Sequence, residues 1–394
     1  MANVRLLMLN YEFPPIGGGG GRAHLSLLKQ YAAWEQMGVD VLTSGPKPGS
    51  TTEELSGNVT IHRVGISKKD LHVWRRAEVL EWLRRAKRPY RKMLGEQRYD
   101  LVHAFFGFPT GWLCCRTAGR VPYVISLRGS DVPGGNTRLQ LEYKILGPLV
   151  FKPIWKKAAA LVACSAGLRK RALQFLPETE IAVIPNGVDL EQFHPAATPP
   201  GGARGAADRK EVRLVTVGRF SGTKRFPLLV EAVRRLRDQG CRATLTVVGG
   251  GGLWTQLEGL VKQENLHAVV ELTGRVEAEA MPEMYRRHDL FVSASMQEGM
   301  SNAMLEAMAS GLPIVTTRCE GVDELIADNG VVVETASAES LAAAVRSLAQ
   351  DASRVARMRT AARMRAEHFT WRCAAEQYRD LYDNILVKRG TGTI

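Results

Sequence analysis

Cysteine is sparse in this 394-residue chain, and the six present follow no metal or redox spacing. Cys114, Cys115, Cys164, Cys241, Cys319 and Cys373 include no Cys-x-x-Cys pair and keep no histidine cluster for company, which excludes a zinc ribbon. Cys164 ends an apolar run, where a reduced thiol behaves as a small hydrophobe, so the expected setting is a reducing cytoplasm. No apolar stretch approaches the roughly 20 residues of a spanning helix. The run at Leu6–Leu9 is too short for a signal-peptide core. Acidic residues are in deficit: 40 against 53 Lys plus Arg, a formal net charge of +13. Such a balance suits polyanions, among them phosphorylated small molecules and anionic membrane faces.

Several nucleotide-binding signatures are also missing. A glycine run, Gly17–Gly21, follows the first apolar strand, Val4–Asn10, but no Gly-Lys-Ser/Thr follows it, so it is not a Walker loop. Its unbroken glycines give no register for Gly-x-Gly-x-x-Gly. The next strand, Val39–Ser44, ends in Thr43-Ser44 rather than in an acid that could hold a ribose, which disfavours a nicotinamide dehydrogenase.

What is present is an alternation of short β-branched runs with amphipathic stretches, the pattern of parallel sheets covered on both faces. Strands are expected at 59–64, 101–105, 123–127, 161–165 and 181–185, and a helix from about Arg22 to Met37. The Pro- and Gly-rich segment His194–Arg209 reads as a linker. Alternation then restarts, with strands at 214–218, 244–248, 269–273, 290–293, 314–317 and 331–333, before a nearly all-helical end. The expected domains are 1–190, 191–371 and a final helical segment, 372–394. In such folds ligands sit outside the carboxyl ends of the strands.

Three segments carry chemistry. Gly17, Gly18, Gly19 and Gly20 let backbone approach a ligand at a helix N-terminus. Arg219 and Lys224, on the loop after the first strand of the second domain, could clamp a diphosphate. The strongest is Glu298-Gly299-Met300-Ser301-Asn302-Ala303-Met304-Leu305-Glu306, two carboxylates flanking seven residues, the first in a loop and the second in a small, apolar helix. Carboxylates accept hydrogen bonds from sugar hydroxyls, and a buried glutamate there needs a partner.

These segments, with Asp100–Ala104, Ser165, Pro185-Asn186-Gly187-Val188-Asp189, Val248–Gly251 and Gly274-Arg275-Val276, resemble glycosyltransferase family 4 over almost the whole chain. The resemblance implies a GT-B fold, two Rossmann-like α/β domains facing each other across a cleft, with a C-terminal helix (about Cys373–Val387) returning to the first. It implies a retaining hexosyltransferase with a nucleoside-diphosphate sugar donor, UDP being the commonest in the family, and a saccharide or lipid-linked acceptor. Glu298 would bind donor-sugar hydroxyls and Glu306 the ribose. Arg219 and Lys224 would hold the diphosphate. Gly249, Gly250 and the main chain at Arg275-Val276 would meet the nucleotide, and the Gly299–Asn302 amides the sugar or phosphates. No cofactor or metal is expected, in keeping with the lack of an Asp-x-Asp pair. Domain closure about the linker and a crossing near Trp371 is expected with it.

One position departs from the family. Many relatives carry a histidine where this chain reads Arg128, in Ser126-Leu127-Arg128-Gly129-Ser130-Asp131. Arginine stays charged and is no base, but it binds phosphate or carboxylate bidentately. Either His103 takes part in catalysis, or no histidine is needed, or the acceptor carries an anion bound by Arg128, Asp131 and Asn186. A nucleotide-sugar epimerase and a non-catalytic sugar-nucleotide-binding module are the alternatives. Finally, residues 68–98 hold eleven basic residues against four acidic ones, interleaved with Trp74, Trp82 and leucines. That composition suits a helix lying on an anionic membrane. No nucleic-acid motif accompanies it.

Overall fold

The computed structural model describes residues 4–134, 140–196 and 211–391, excepting the side chains of 140–142. Most of the expected linker therefore lies outside the described residues. The chain divides into two compact units, Met1–Asn186 with Trp371–Ile394, and Gly187–Thr370. The first break falls at Asn186, four residues before the expected boundary.

Unit 1 is built on β1 (Val4–Asn10), β2 (Met37–Gly45), β3 (Ser50–Ser56), β4 (Val59–Gly65), β5 (Leu101–Phe105), β6 (Tyr123–Leu127), β7 (Ala160–Ala163) and β8 (Ile181–Val183). They lie in the order β3-β4-β2-β1-β5-β6-β7-β8, parallel except for β3. β1 and β5, neighbours reached from opposite directions, define the topological switch point. Every residue of β5 and of β6 is buried, which explains their continuous apolar runs. β3 is an exposed polar edge, Ser-Thr-Thr-Glu-Glu-Leu-Ser, and carries no apolar alternation to announce it.

The helix expected at Arg22–Met37 runs from Gly19 to Tyr31, so the last glycines form its first turn. Met37 belongs to β2. Asn58 fixes the stop by donating its side-chain amide to the carbonyls of Tyr31, Trp34 and Met37 at 2.9–3.0 Å. The helix Trp371–Gly390 packs on unit 1 against Gly19–Tyr31. Its Tyr382 and Tyr378 enter a buried polar chain. Tyr31 and Tyr382 hydroxyls stand 3.2 Å apart, Tyr382 reaches His103 Nδ1 at 2.7 Å, His103 Nε2 meets Ser126 Oγ at 2.7 Å, and Ser126 meets the Tyr378 hydroxyl at 2.6 Å.

Unit 2 is a six-stranded parallel sheet, β11-β10-β9-β12-β13-β14, from β9 (Val212–Val217), β10 (Ala243–Val248), β11 (Val270–Gly274), β12 (Leu290–Ser293), β13 (Ile314–Thr317) and β14 (Gly330–Val333). One face packs on helices Phe226–Asp238 and Ala338–Ala349, through Val230, Val233, Leu341 and Val345. Its switch point lies between β9 and β12. Where the chain enters and leaves the unit the two runs are side by side: Val188 N donates to Phe369 O at 2.8 Å.

The amphipathic segment 68–98 folds as helix Arg76–Glu96, and its apolar side turns inward. Trp82 is fully buried, and Ala86, Tyr90 and Leu94 follow it into the core. Trp74 packs on Tyr11 and under Lys68, which pairs with buried Glu78 at 2.6 Å. The apolar side of this helix thus serves the core of its own unit. Arg84, Arg85, Lys87, Arg88, Arg91 and Lys92 remain exposed. Among the described residues no helix is long and apolar enough to cross a membrane.

Candidate active site

Unit 2 concentrates charge at its switch point. The loop after β9 carries Arg219, exposed, and Lys224, partly buried. The loop after β12 carries Glu298. Lys224 Nζ and Glu298 Oε1 form an ion pair, 74 residues apart in sequence. The Glu298 backbone N–H donates to Glu320 at 2.8 Å. Arg225 ties the floor together, donating to Ala294 O at 2.6 Å and Thr317 Oγ1 at 3.2 Å, while Met296 N donates to Thr223 O at 2.8 Å. Arg225 adopts φ 48°, a left-handed conformation in a non-glycine residue that marks local strain. Burial pushes the Cys319 thiol up, and Glu298 and Glu320 raise it further, so it stays protonated.

Close backbone approach explains the glycines beside this site. Gly249 sits at φ 139°, and a Cβ there would fall on the Gly218 carbonyl oxygen. Gly251, at φ 150°, has Phe220 O only 2.7 Å from the place of a Cβ. Gly218 N donates to Val248 O at 3.0 Å, Phe220 N to Gly250 O at 2.9 Å, and Gly249 N to Gly274 O at 2.7 Å. The turns after β9, β10 and β11 are thus bonded to one another, with Arg275 lying along Gly250 and Val276 next in chain. On the other flank, Ser301 caps the helix Asn302–Ala309 by accepting from Met304 N at 3.3 Å. Gly299 and Met300 lie against Gly321. Glu306, one turn into that helix and partly buried, accepts from the buried Tyr285 hydroxyl at 2.8 Å.

Unit 1 has its own constellation at the β1/β5 switch point. Gly17, at φ 96°, donates to Leu71 O at 2.7 Å and accepts from His72 Nδ1 at 2.8 Å. A Cβ on Gly20 would lie 2.7 Å from the ring of Phe106, and one on Gly21 2.6 Å from Glu12 O. Arg128, at the end of β6, stacks its guanidinium 4.8 Å over the ring of Phe105. Buried Asp131 spends both carboxylate oxygens on backbone N–H groups, Gly107 and Arg128, at 2.8 Å each.

Comparison with known proteins agrees along the chain. Residues 17–192 match the family described as Glycosyltransferase Family 4, and residues 211–351 match Glycosyl transferases group 1. The chain belongs to glycosyltransferase family 4. The transferase is 28% identical over 416 residues to the glycogen synthase of Mycobacterium tuberculosis (strain CDC 1551 / Oshkosh), covering 98% of this chain and 96% of that one. It is 30% identical over 216 residues, 54% of this chain and 55% of the other, to the GDP-mannose-dependent alpha-(1-6)-phosphatidylinositol dimannoside mannosyltransferase of M. tuberculosis (strain ATCC 25177 / H37Ra). Its fold is that of sucrose-phosphate synthase from Thermosynechococcus elongatus, with a TM-score of 0.80, 20% identity, and 98% and 99% of the two chains covered. The two parallel α/β units are those of GT-B.

Measured against the sequence, the transferase brings Lys224 and Glu298 together and places Gly249, Gly250, Arg275 and Val276 on joined turns. His103 as a catalytic group is corrected. It is fully buried, both ring nitrogens are engaged within the unit 1 core, and burial lowers its pKa to about 3, helped by Arg128. Asp131 is buried, and each of its carboxylate oxygens accepts one backbone N–H, from Gly107 and Arg128. Asn186 is buried at the very end of the first stretch of unit 1. Sequence reasoning missed Glu320, Cys319 and Arg225. A cation following Lys224 and an acid after the strand at 314–317 were the available signals.

Proposed function

We propose that this transferase moves a hexose unit, with retention, from a nucleoside-diphosphate sugar to an acceptor hydroxyl in polysaccharide or glycoconjugate synthesis. The observation that carries the reading is the Lys224–Glu298 pair. It sets a cation suited to a diphosphate and a carboxylate suited to sugar hydroxyls side by side at the unit 2 switch point. Arg219 on the same loop adds a second cation. In this reading Glu306 takes the ribose, the turns at Gly249, Gly250 and Arg275-Val276 take the base, and the segment Gly299–Asn302 takes sugar and phosphate. The C1–O bond to the leaving diphosphate breaks while the acceptor oxygen bonds C1 on the same face, and the acceptor proton passes to the leaving phosphate oxygen. Arg219 and Lys224 stabilise the charge that develops there. No protein nucleophile and no metal is assigned. Unit 1 takes the acceptor.

UDP is the favoured nucleotide, as the commonest in the family. The similarity to a GDP-mannose-dependent enzyme supports GDP-mannose as a second reading. A thermal-shift panel of UDP-glucose, UDP-galactose, UDP-N-acetylglucosamine and GDP-mannose decides between them. Acceptor trials with the best donor, and NMR of the product anomer, complete the test. Stabilisation by none of the four, or an inverted product, overturns the reading.

A further inference from the structure

We propose that Arg128 is a preformed oxyanion site in unit 1, and that the acceptor therefore carries a phosphate or carboxylate group. This rests on the transferase reading for the word acceptor, but the site itself rests on unit 1 alone.

The position is the first part of the argument. Arg128 directly follows β6 and leans over Phe105, the last residue of β5, so its guanidinium lies beside the β1/β5 switch point where open α/β sheets take ligands. The residue after Phe105 is Phe106, at φ 72°, a bulky side chain in the left-handed region. Strain of that kind is held where the surrounding structure uses it.

The mounting is the second part. Asp131 accepts the Arg128 backbone N–H at 2.8 Å, and its other oxygen accepts that of Gly107. The Tyr143 hydroxyl donates to Asp131 O at 2.7 Å. Arg171 donates to Gly129 O at 3.2 Å and Val132 O at 3.3 Å. The backbone from 128 to 132 is thus pinned by Asp131 from within and by Tyr143 and Arg171 from outside, and the guanidinium is pinned by the Phe105 face. A charged group is rarely held so firmly unless its direction matters.

The unused valence is the third part. Among the described residues no acceptor meets the Arg128 side-chain N–H groups. The carboxylate standing beside it has both oxygens committed. Its other ionisable neighbours are His24 and His103, both fully buried, and Tyr378. His24 packs between Phe13 and Phe105, and neither of its ring nitrogens has a hydrogen-bond partner among the described residues. Arg128 is therefore the fixed positive charge of this cluster, partly exposed, with a planar donor fork open among the described residues. Planar forks match oxyanions bidentately, which a histidine at this place would not do.

A donor phosphate and an acceptor anion share this chemistry, so the test separates them. The ¹⁵N-labelled full chain is titrated with inorganic phosphate, with and without saturating UDP or GDP. The Arg128 Nε–H signal is assigned by its loss in Arg128→Gln. The expected result is a saturable shift that persists with nucleotide bound, with Arg128→Lys weakening phosphate at least about tenfold by losing the fork. No saturable shift overturns the site. A shift abolished by nucleotide assigns the anion to the donor and overturns the acceptor claim. In turnover, glucose 6-phosphate is expected to exceed glucose as acceptor at least about tenfold in kcat/KM, and Arg128→Gln to erase that preference through KM. Equal use of the two by the native enzyme overturns the claim. A nucleotide panel that fails while phosphate still reports on Arg128 counts against the transferase reading only.

Discussion

His103 Nδ1 stands 2.7 Å from the hydroxyl of Tyr382, 279 positions further along the chain. A histidine near the carboxyl end of a Rossmann-like strand invites a catalytic reading, yet this one joins the returning helix to the sheet. Tyr382→Phe would leave His103 and Tyr31 each short of a buried partner. The expected loss is about 1–3 kcal/mol of unfolding free energy, with kcat nearly unchanged. Urea melts and initial rates measured side by side check it. A large fall in kcat without a fall in stability would return His103 to the chemistry.

The same burial makes the fold acid-sensitive. His103 is held near pKa 3 against about 6.5 when unfolded, and His24 is lowered for the same reason, desolvation. Below pH 6.5 the unfolded chain takes up protons that the folded chain refuses, so stability falls from there down towards pH 3. Above 6.5 these groups contribute no slope. His103 adds about 1.4 kcal/mol per pH unit inside that window, and His24 acts in the same direction. His103→Gln is expected to flatten the dependence by one proton. An unchanged slope between pH 6 and 4 would contradict the assignment.

Arg219→Ala and Lys224→Ala are each expected to lower turnover about 10²–10³-fold. Lys224→Ala also strands Glu298 without its cation, so its donor affinity should fall more than that of Arg219→Ala. Single-turnover kinetics and donor titrations separate the two effects. Near-normal turnover in both variants would remove the clamp.

If those side chains neutralise the leaving diphosphate, a divalent ion has no required part. Activity should survive excess EDTA. Loss that magnesium or manganese restores would show the clamp to be incomplete.

The exposed cations of the helix Arg76–Glu96 have no apolar stripe left to insert, so any binding to anionic vesicles should be wholly salt-reversible. Sedimentation with phosphatidylserine vesicles should show capture at low salt and release at high salt. Retention at high salt would point to an inserted surface elsewhere.

Much of the scaffold was legible because buried parallel strands write continuous apolar runs. Leu101–Phe105, Tyr123–Leu127, Leu290–Ser293 and Ile314–Thr317 were read with their observed limits. β3 was not, since an exposed edge strand is polar throughout. The first helix was misplaced because glycine argues against helix locally, while packing against Glu12 and Phe106 admits nothing larger. The pairing of Lys224 with Glu298 was foreseeable, as both follow strands that flank one switch point. The role of His103 was not, because no local pattern announces a tyrosine arriving from residue 382.

That late arrival orders the making of the protein. Every residue of Gly187–Thr370 leaves the ribosome before Tyr378 and Tyr382 do. The unit that is second in sequence is therefore the first that can be finished. Until residues 371–390 emerge, Tyr31, His103 and Ser126 lack the tyrosines that complete their buried chain. A nascent chain arrested before Trp371 would present one mature half and one half with a polar seam still open to water, a ready target for chaperones and proteases.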